Sequence, residues 1–171
     1  SVRVGVRQIE NGLVSTYLNQ SIKPGDTIGA FGPSGDYGLQ LDEPVPNVVC
    51  IAGGSGITPQ ISILRHVLET SPESQAELIF VNRLPETTMF LQELEDLEKQ
   101  FGPRFSQHHY FSQKKQKLTR AKLRKKLGSD KLKDSQFFLC GPESLMDLSQ
   151  SVLKEIGIPA AAIHREVFVP S

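Results

Sequence analysis

Cysteine is scarce in this chain: there are two in 171 residues, Cys50 and Cys140. Each sits inside an apolar, strand-like run, so the pattern fits a reduced, cytoplasmic setting better than a disulfide-stapled secreted one. Net charge is missing too. Nineteen basic residues cancel nineteen acidic ones, which removes any global pull towards nucleic acid or an anionic membrane. No apolar run approaches the ~20 residues of a membrane-spanning helix, and no leader-like pattern opens the sequence, so membrane insertion is not expected. The four histidines, His66, His108, His109 and His164, stand at no metal-ligand spacing from cysteines or carboxylates, which argues against a zinc site. Two phosphate-binding signatures are also absent. Thr58-Pro59 occupies the place of a Walker lysine, and the spacing G-x-G-x-x-G does not occur.

What the sequence does have is the stretch from Asn47 to Pro59, NVVCIAGGSGITP. Val48 to Ala52 is an unbroken apolar run, the pattern of a strand covered on both faces. Gly53, Gly54 and Gly56 then provide a turn whose backbone a ligand can approach closely. Thr58 is expected to cap a helix and Pro59 to take its first position, with Ile61, Leu64 and Leu68 on one face. Strand, glycine turn and helix N-terminus together suit a phosphate group, because free N–H donors and the positive end of the helix dipole converge there. A tight connection without a ligand fits the same residues, and both readings stay open at this point.

The rest of the chain divides at about residue 42. Val2, Val4 and Val6 alternate with polar or small residues and predict a half-buried strand. Asn11-Gly12 predicts a turn, Val14 to Leu18 a short helix, and Thr27 to Phe31 a second strand. Two strands cannot close a barrel, so residues 1–41 read as the closing part of a domain, with 42–46 as a linker. From 47 to 171 strands alternate with helices. Further strands are predicted at 76–82, 105–111, 136–140 and 163–169, and helical stripes at Phe90–Phe101, Leu118–Leu127 and Leu145–Ile156. This alternation predicts an α/β domain with a parallel sheet and helices on both faces. Ligands in such sheets bind beyond the carboxyl ends of the strands. The Gly53–Thr58 loop, Asn82-Arg83 and Cys140-Gly141-Pro142 should therefore share one edge.

Six segments in order, GLVSTYL at 12–18, KPGDTIGAFGPSGDYGL at 23–39, GGSGITP at 53–59, FVNR at 80–83, FLCGPESLM at 138–146 and REVF at 165–168, resemble the ferredoxin–NADP reductase superfamily. Its oxygenase-reductase branch looks nearest. The resemblance implies that residues 1–41 are the C-terminal part of an antiparallel β-barrel that binds FAD. Residues 47–171 would be the nucleotide domain. Gly12, Leu13, Val14 and Ser15 would present amides and a hydroxyl to the FAD pyrophosphate, although the residues taken without the resemblance favour Ser15 as a simple helix cap. Gly53, Gly54, Ser55, Gly56 and Thr58 would hold the pyridine nucleotide, and Cys140, Gly141 and Pro142 would lie beside its nicotinamide. Glu166 and Phe168 belong to the family's closing segment, where a carboxylate lies near the nicotinamide and an aromatic ring covers the flavin. As an alternating strand, this segment would put Glu166 and Phe168 on one side; core packing is the other reading for Phe168. Here the chain continues as Val169-Pro170-Ser171, which reads as a linker onward.

Arg83, directly after Asn82, follows the second strand of the nucleotide domain, where an acidic residue suits a free ribose hydroxyl and an arginine a 2′-phosphate. NADPH is therefore expected over NADH, with a solvated side chain or stacking on the adenine as the other readings of Arg83. The family's arginine–aromatic–serine flavin motif has no counterpart in the sequence, so FAD binding is expected to need a preceding segment. Between Lys114 and Lys126 stand eight basic residues. They read as the solvated face of a surface helix, with docking of an acidic ferredoxin-like partner as the functional alternative and no nucleic-acid motif around them.

The implied function is a flavin-dependent reductase module. It would pass a hydride from NAD(P)H to FAD, then single electrons to a ferredoxin-type [2Fe-2S] domain, fused or separate, or to an oxygenase or haem acceptor. Cys140, Glu166 and Phe168 would tune the transfer. The rival is an NAD(P)-binding sensor without redox turnover, which fold alone does not exclude.

Overall fold

The computed structural model describes residues 2–32, 34–35, 37–38, 47–114, 116–128 and 132–168. The chain forms two compact units, Ser1–Asp36 and Tyr37–Ser171.

The second unit is built from β1 (Asn47–Gly53), α2 (Ile57–Thr70), β2 (Gln75–Asn82), α3 (Leu91–Phe101), β3 (Phe105–Phe111), α4 (Arg120–Leu127), β4 (Gln136–Cys140), α5 (Glu143–Glu155) and β5 (Ile163–Glu166). The helix of the first unit, α1, is Leu13–Gln20. The five strands form one sheet in the order β3-β2-β1-β4-β5, and every neighbouring pair is parallel. The alternation of strand and helix in the sequence is thus realised as a doubly wound sheet.

Each central strand feeds two cores because successive side chains point to opposite faces. Cys50, Ala52, Leu78, Phe80 and Phe138 pack on one face against Ile57, Ile61, Leu64 and Leu68 of α2 and Leu94 and Leu97 of α3. Val49, Ile51, Ile79, Phe137 and Leu139 pack on the other face against Leu123 and Leu127 of α4 and Met146, Val152 and Leu153 of α5. A fully buried side chain such as Leu64 contributes roughly 1.5–3 kcal/mol relative to leaving it in water. This explains why β1 and β4 read as continuous apolar runs rather than alternating ones.

Arg104 staples the sheet to α2 from the opposite edge. Its guanidinium donates to the carbonyls of Leu68 (2.7 Å), Ser71 (3.0 Å) and Ser74 (3.3 Å) at the end of that helix. Charge-assisted bonds to a helix C-terminus also meet the negative end of its dipole. Arg104→Ala is expected to cost about 2 kcal/mol, read as a lower urea midpoint with an unchanged slope.

Several sequence expectations are corrected. Residues 2–6 and 27–31 form no strand among the described residues. A strand exists only as part of a backbone ladder, and no ladder is formed at these positions. Val2, Val4 and Phe31 are exposed. The turn at Asn11-Gly12 is present, with Asn11 in the left-handed region at φ 59°, and α1 follows it. The helix after β1 begins at Ile57, with Gly56 rather than Thr58 at its cap. Gly54–Gly56 form a short 3₁₀ turn, and this brings the helical conformation forward by two residues. Helix α4 starts at Arg120, where Thr119 Oγ1 accepts from the Lys122 amide at 3.3 Å. Strand β5 stops at Glu166, so the alternation assumed for Glu166 and Phe168 does not extend to Phe168. The proposed linker 42–46 and the tail 169–171 lie outside the described residues, as does Lys115 of the basic run.

Candidate functional site

Because all strands run in parallel, their carboxyl ends meet on one edge of the second unit. Strands β1 and β4 are neighbours there, with Ala52 beside Cys140, although β2 and β3 continue away on the other side of β1. This reversal of strand order is where doubly wound sheets open a crevice for a ligand.

The loops that follow β1 and β4 at this edge meet on glycine. A Cβ on Gly56 would stand 2.1 Å from the Cys140 carbonyl oxygen, and one on Gly53 would stand 2.5 Å from Cδ of Pro142. Gly141, at φ +152°, faces Gly53, whose amide nitrogen lies 2.8 Å from where a Cβ would be. The β1 loop and the β4 loop therefore interlock backbone to backbone, and no side chain fits between them. Gly54 adopts φ +55°, a left-handed conformation that glycine takes without strain. The Thr58 hydroxyl donates to the Ser55 carbonyl at 2.9 Å and so locks the turn from inside. The Ile57 amide is spent on the Gly54 and Ser55 carbonyls, and it is the amides at the start of the 3₁₀ turn that lack an acceptor within it.

Asn82 ends β2 on the same edge. It is buried, and its Nδ2 has no hydrogen-bond partner among the described residues. An unpaired buried donor costs about 1–3 kcal/mol, so it marks a place where an acceptor belongs. Arg83 follows, exposed. Its guanidinium makes no recorded ion pair or hydrogen bond among the described residues. Its backbone is held, because the Gln113 amide donates to the Arg83 carbonyl at 3.2 Å and the Ser112 amide to the Asn82 carbonyl at 2.9 Å. A cation with a fixed backbone and a free head is suited to bind an anion.

Cys140 and Glu166 stand side by side in the β4–β5 ladder. Burial pushes the Cys140 thiol up to about 12, and the Glu166 carboxylate adds to the rise. Burial also pushes the Cys50 thiol up. Both sulfurs are thus neutral in the native protein at any pH near 7. The unfolded thiol loses its proton near pH 9 and the folded one does not, so this stabilisation is present below pH 9 and is lost as pH rises towards 12. Iodoacetamide at pH 8 is expected to alkylate Cys140 at least ~10-fold more slowly in the native protein than in urea; equal rates would contradict the burial. Beyond β5, Val167 and Phe168 are half exposed, at 50% and 47%.

In the first unit, Gly12 caps α1 without a side-chain bond. The Ser15 hydroxyl accepts from the Ile9 amide at 3.2 Å and donates to the Gly12 carbonyl at 3.4 Å. The first intrahelical bond runs from the Thr16 amide to the Gly12 carbonyl at 3.0 Å, which leaves the amides of Leu13, Val14 and Ser15 without an intrahelical acceptor.

Two residues of the edge were not singled out from sequence. Gln60, fully buried in α2, donates from Nε2 to the Tyr37 hydroxyl (2.8 Å) and to the Phe138 carbonyl (3.0 Å). Its signal was a polar residue on the apolar stripe, three positions after Ile57 and four before Leu64. Tyr37 packs its edge on Phe138, centroids 5.7 Å apart, and Phe138 stacks on His164 at 4.6 Å. Burial raises the Tyr37 phenol, and the hydrogen bond from Gln60 opposes the rise.

Residues 50–151 match the family model described as the oxidoreductase NAD-binding domain. One component of the 1,2-phenylacetyl-CoA epoxidase of Escherichia coli K12 is 35% identical over 179 residues, spanning 98% of this chain and 50% of that protein. Flavohemoprotein A of Dictyostelium discoideum is 32% identical over 160 residues, spanning 94% of this chain and 40% of that protein. Among solved structures, the flavohem-like FAD/NAD-binding domain of nitric oxide dioxygenase from Vibrio cholerae superposes with a TM-score of 0.78 at 28% identity, covering 93% of this chain and 65% of that one. The chain spans half or less of the length of these two curated relatives. Its matched residues, its strand order and its interlocked glycine loops agree: the chain belongs to the oxidoreductase NAD-binding domain family.

Proposed function

We propose that the chain is the pyridine-nucleotide side of a flavin-dependent reductase. The observation that carries this reading is the interlocked glycine of the loops after β1 and β4, on the same edge as Asn82, whose Nδ2 has no partner among the described residues. Gly53, Gly54, Ser55 and Gly56 offer backbone amides to the pyrophosphate, with Thr58 holding their turn closed. Asn82 donates to the nucleotide, and Arg83 pairs with a 2′-phosphate, favouring NADPH. Cys140, Gly141 and Pro142 line the seat of the nicotinamide. The neutral Cys140 thiol shapes that seat and is no nucleophile. Glu166 places a carboxylate beside it, and the half-exposed ring of Phe168 is free to cover a flavin.

The amides of Leu13, Val14 and Ser15 fit the FAD pyrophosphate, with residues 1–41 as the C-terminal part of the flavin domain, 42–46 the linker and 47–171 the nucleotide domain. When bound, the two cofactors supply hydride transfer and its division into single electrons. The chain's own part is positioning, exclusion of water and electrostatic tuning. The proposed acceptor is an iron–sulfur or haem centre of an oxygenase system, in keeping with relatives named as an epoxidase component and a flavohemoprotein.

The test is an anaerobic visible spectrum of the natural-length protein that carries this chain, mixed with FAD, before and after NADPH. Bound flavin absorbance that bleaches supports the reductase. Tight binding of the nucleotide with no uptake or bleaching of FAD would favour the sensor instead.

A further inference from the structure

We propose that Tyr37 is a specificity-determining donor for the carboxamide end of the bound pyridine nucleotide, with its phenolic O–H aimed by the buried amide of Gln60. The inference rests on the reading of the β1–β4 crevice as a pyridine-nucleotide site.

Gln60 fixes the direction. Its Nε2 has two protons, and both are spent: one goes to the Phe138 carbonyl at 3.0 Å, the other to the Tyr37 oxygen at 2.8 Å. The carbonyl accepts only from a donor, so nitrogen rather than oxygen must occupy that position of the amide. The Tyr37 oxygen is therefore an acceptor towards Gln60, and its own proton turns away from it. No acceptor for that proton is recorded among the described residues. The Gln60 Oε1, fully buried, also has no partner there.

The phenol is fixed in place as well as in direction. Its ring stands edge-on to Phe138 at 87°. Phe138 lies two residues before Cys140 on the same strand face, and Cys140 pairs with Glu166. The open donor therefore belongs to the ends of β4 and β5, where the nicotinamide seat has been placed. An unfilled donor on a half-exposed residue is the complement of the carbonyl of a primary carboxamide. Phenylalanine at position 37 would pack as well and recognise nothing. The hydroxyl and the buried glutamine, 23 residues apart in sequence, serve no packing need that an apolar pair would not meet better.

The experiment is calorimetric titration of the full chain and of its Tyr37→Phe and Gln60→Met variants, each checked for folding by thermal melting. The ligands are NADP⁺ and NAD⁺, each against its counterpart lacking nicotinamide, 2′-phospho-ADP-ribose and ADP-ribose. Loss of one neutral hydrogen bond is expected to weaken the dinucleotides about 5- to 10-fold in Tyr37→Phe and to leave the ADP-ribose ligands unchanged. Gln60→Met should show the same selectivity, because the phenol remains but is no longer aimed. If it fails to fold, Tyr37→Phe alone decides. Equal weakening of both ligand classes, or no change in either, would overturn the inference. A wild-type chain that binds none of the four ligands would overturn the nucleotide-site reading itself, and this inference with it.

Discussion

Arg83→Asp is expected to lower the preference for NADPH over NADH by about 10- to 150-fold, measured as the ratio of kcat/KM values. The range follows from one charge-assisted hydrogen bond of ~1.5–3 kcal/mol to a 2′-phosphate, at 1.4 kcal/mol per decade. The geometry supports the upper half of it. Two backbone bonds from the β3 side hold Asn82 and Arg83 in place, so little order has to be gained on binding. Aspartate adds repulsion against the phosphate and an acceptor for a free ribose hydroxyl. The effect should therefore divide into a large rise in KM for NADPH and a small fall for NADH, with kcat little changed. An unchanged ratio would remove Arg83 from the site. The interaction is exposed, so the selectivity should also shrink as salt is added.

Gly56→Ala is expected to be the most damaging single-methyl change in the molecule. Gly56 has an ordinary φ of −61°, so the backbone tolerates alanine there and the obstacle is space alone. The new carbon would stand 2.1 Å from the Cys140 carbonyl oxygen, 2.4 Å from its carbon and 2.8 Å from the Gly141 nitrogen. All three are backbone atoms, with no flexible side chain to move aside. Either β4 or the start of α2 must shift. A destabilisation of about 3 kcal/mol is expected, a fall in Tm of roughly 6–12 °C for a chain of this size. Nucleotide affinity should fall at least ~10-fold in whatever still folds, because the two loops that would hold the pyrophosphate can no longer interlock. Gly29→Ala is the control: its added carbon meets nothing within 4 Å, and a change within about ±0.5 kcal/mol is expected. Wild-type stability for Gly56→Ala would mean that the loops are not packed as described.

The sheet was legible because its cause is local. Apolar runs of five to eight residues separated by amphipathic stripes specify buried parallel strands, and Val48–Ala52, Ile61–Leu68 and Gln136–Cys140 behave accordingly. The shared edge also followed, since parallel strands put all their carboxyl ends together. Strand order did not follow from sequence. That β4 lies against β1 depends on contacts between residues more than 80 apart, such as Val48 with Gln136. The helix start was misplaced by two residues because Thr58 has a second use for its hydroxyl, the Ser55 carbonyl, and the 3₁₀ turn before it supplies the cap instead. The Tyr37–Gln60 bond was invisible for a similar reason: each residue is unremarkable alone, and only folding brings them together. The period-two pattern at Val2–Val6 is a correct statement of strand propensity, but propensity forms no ladder without a neighbour.

The most direct test of the nucleotide site is a residue-resolved titration of amide chemical shifts in the full chain on adding NADP⁺. The expected result is perturbation concentrated at Gly53–Thr58, Asn82–Arg83 and Cys140–Gly141, the three loops of one sheet edge, with the start of β2 and the Arg104 staple on the opposite edge unmoved. Shifts centred on that opposite edge, or none at saturating nucleotide, would contradict the assignment of the β1–β4 crevice.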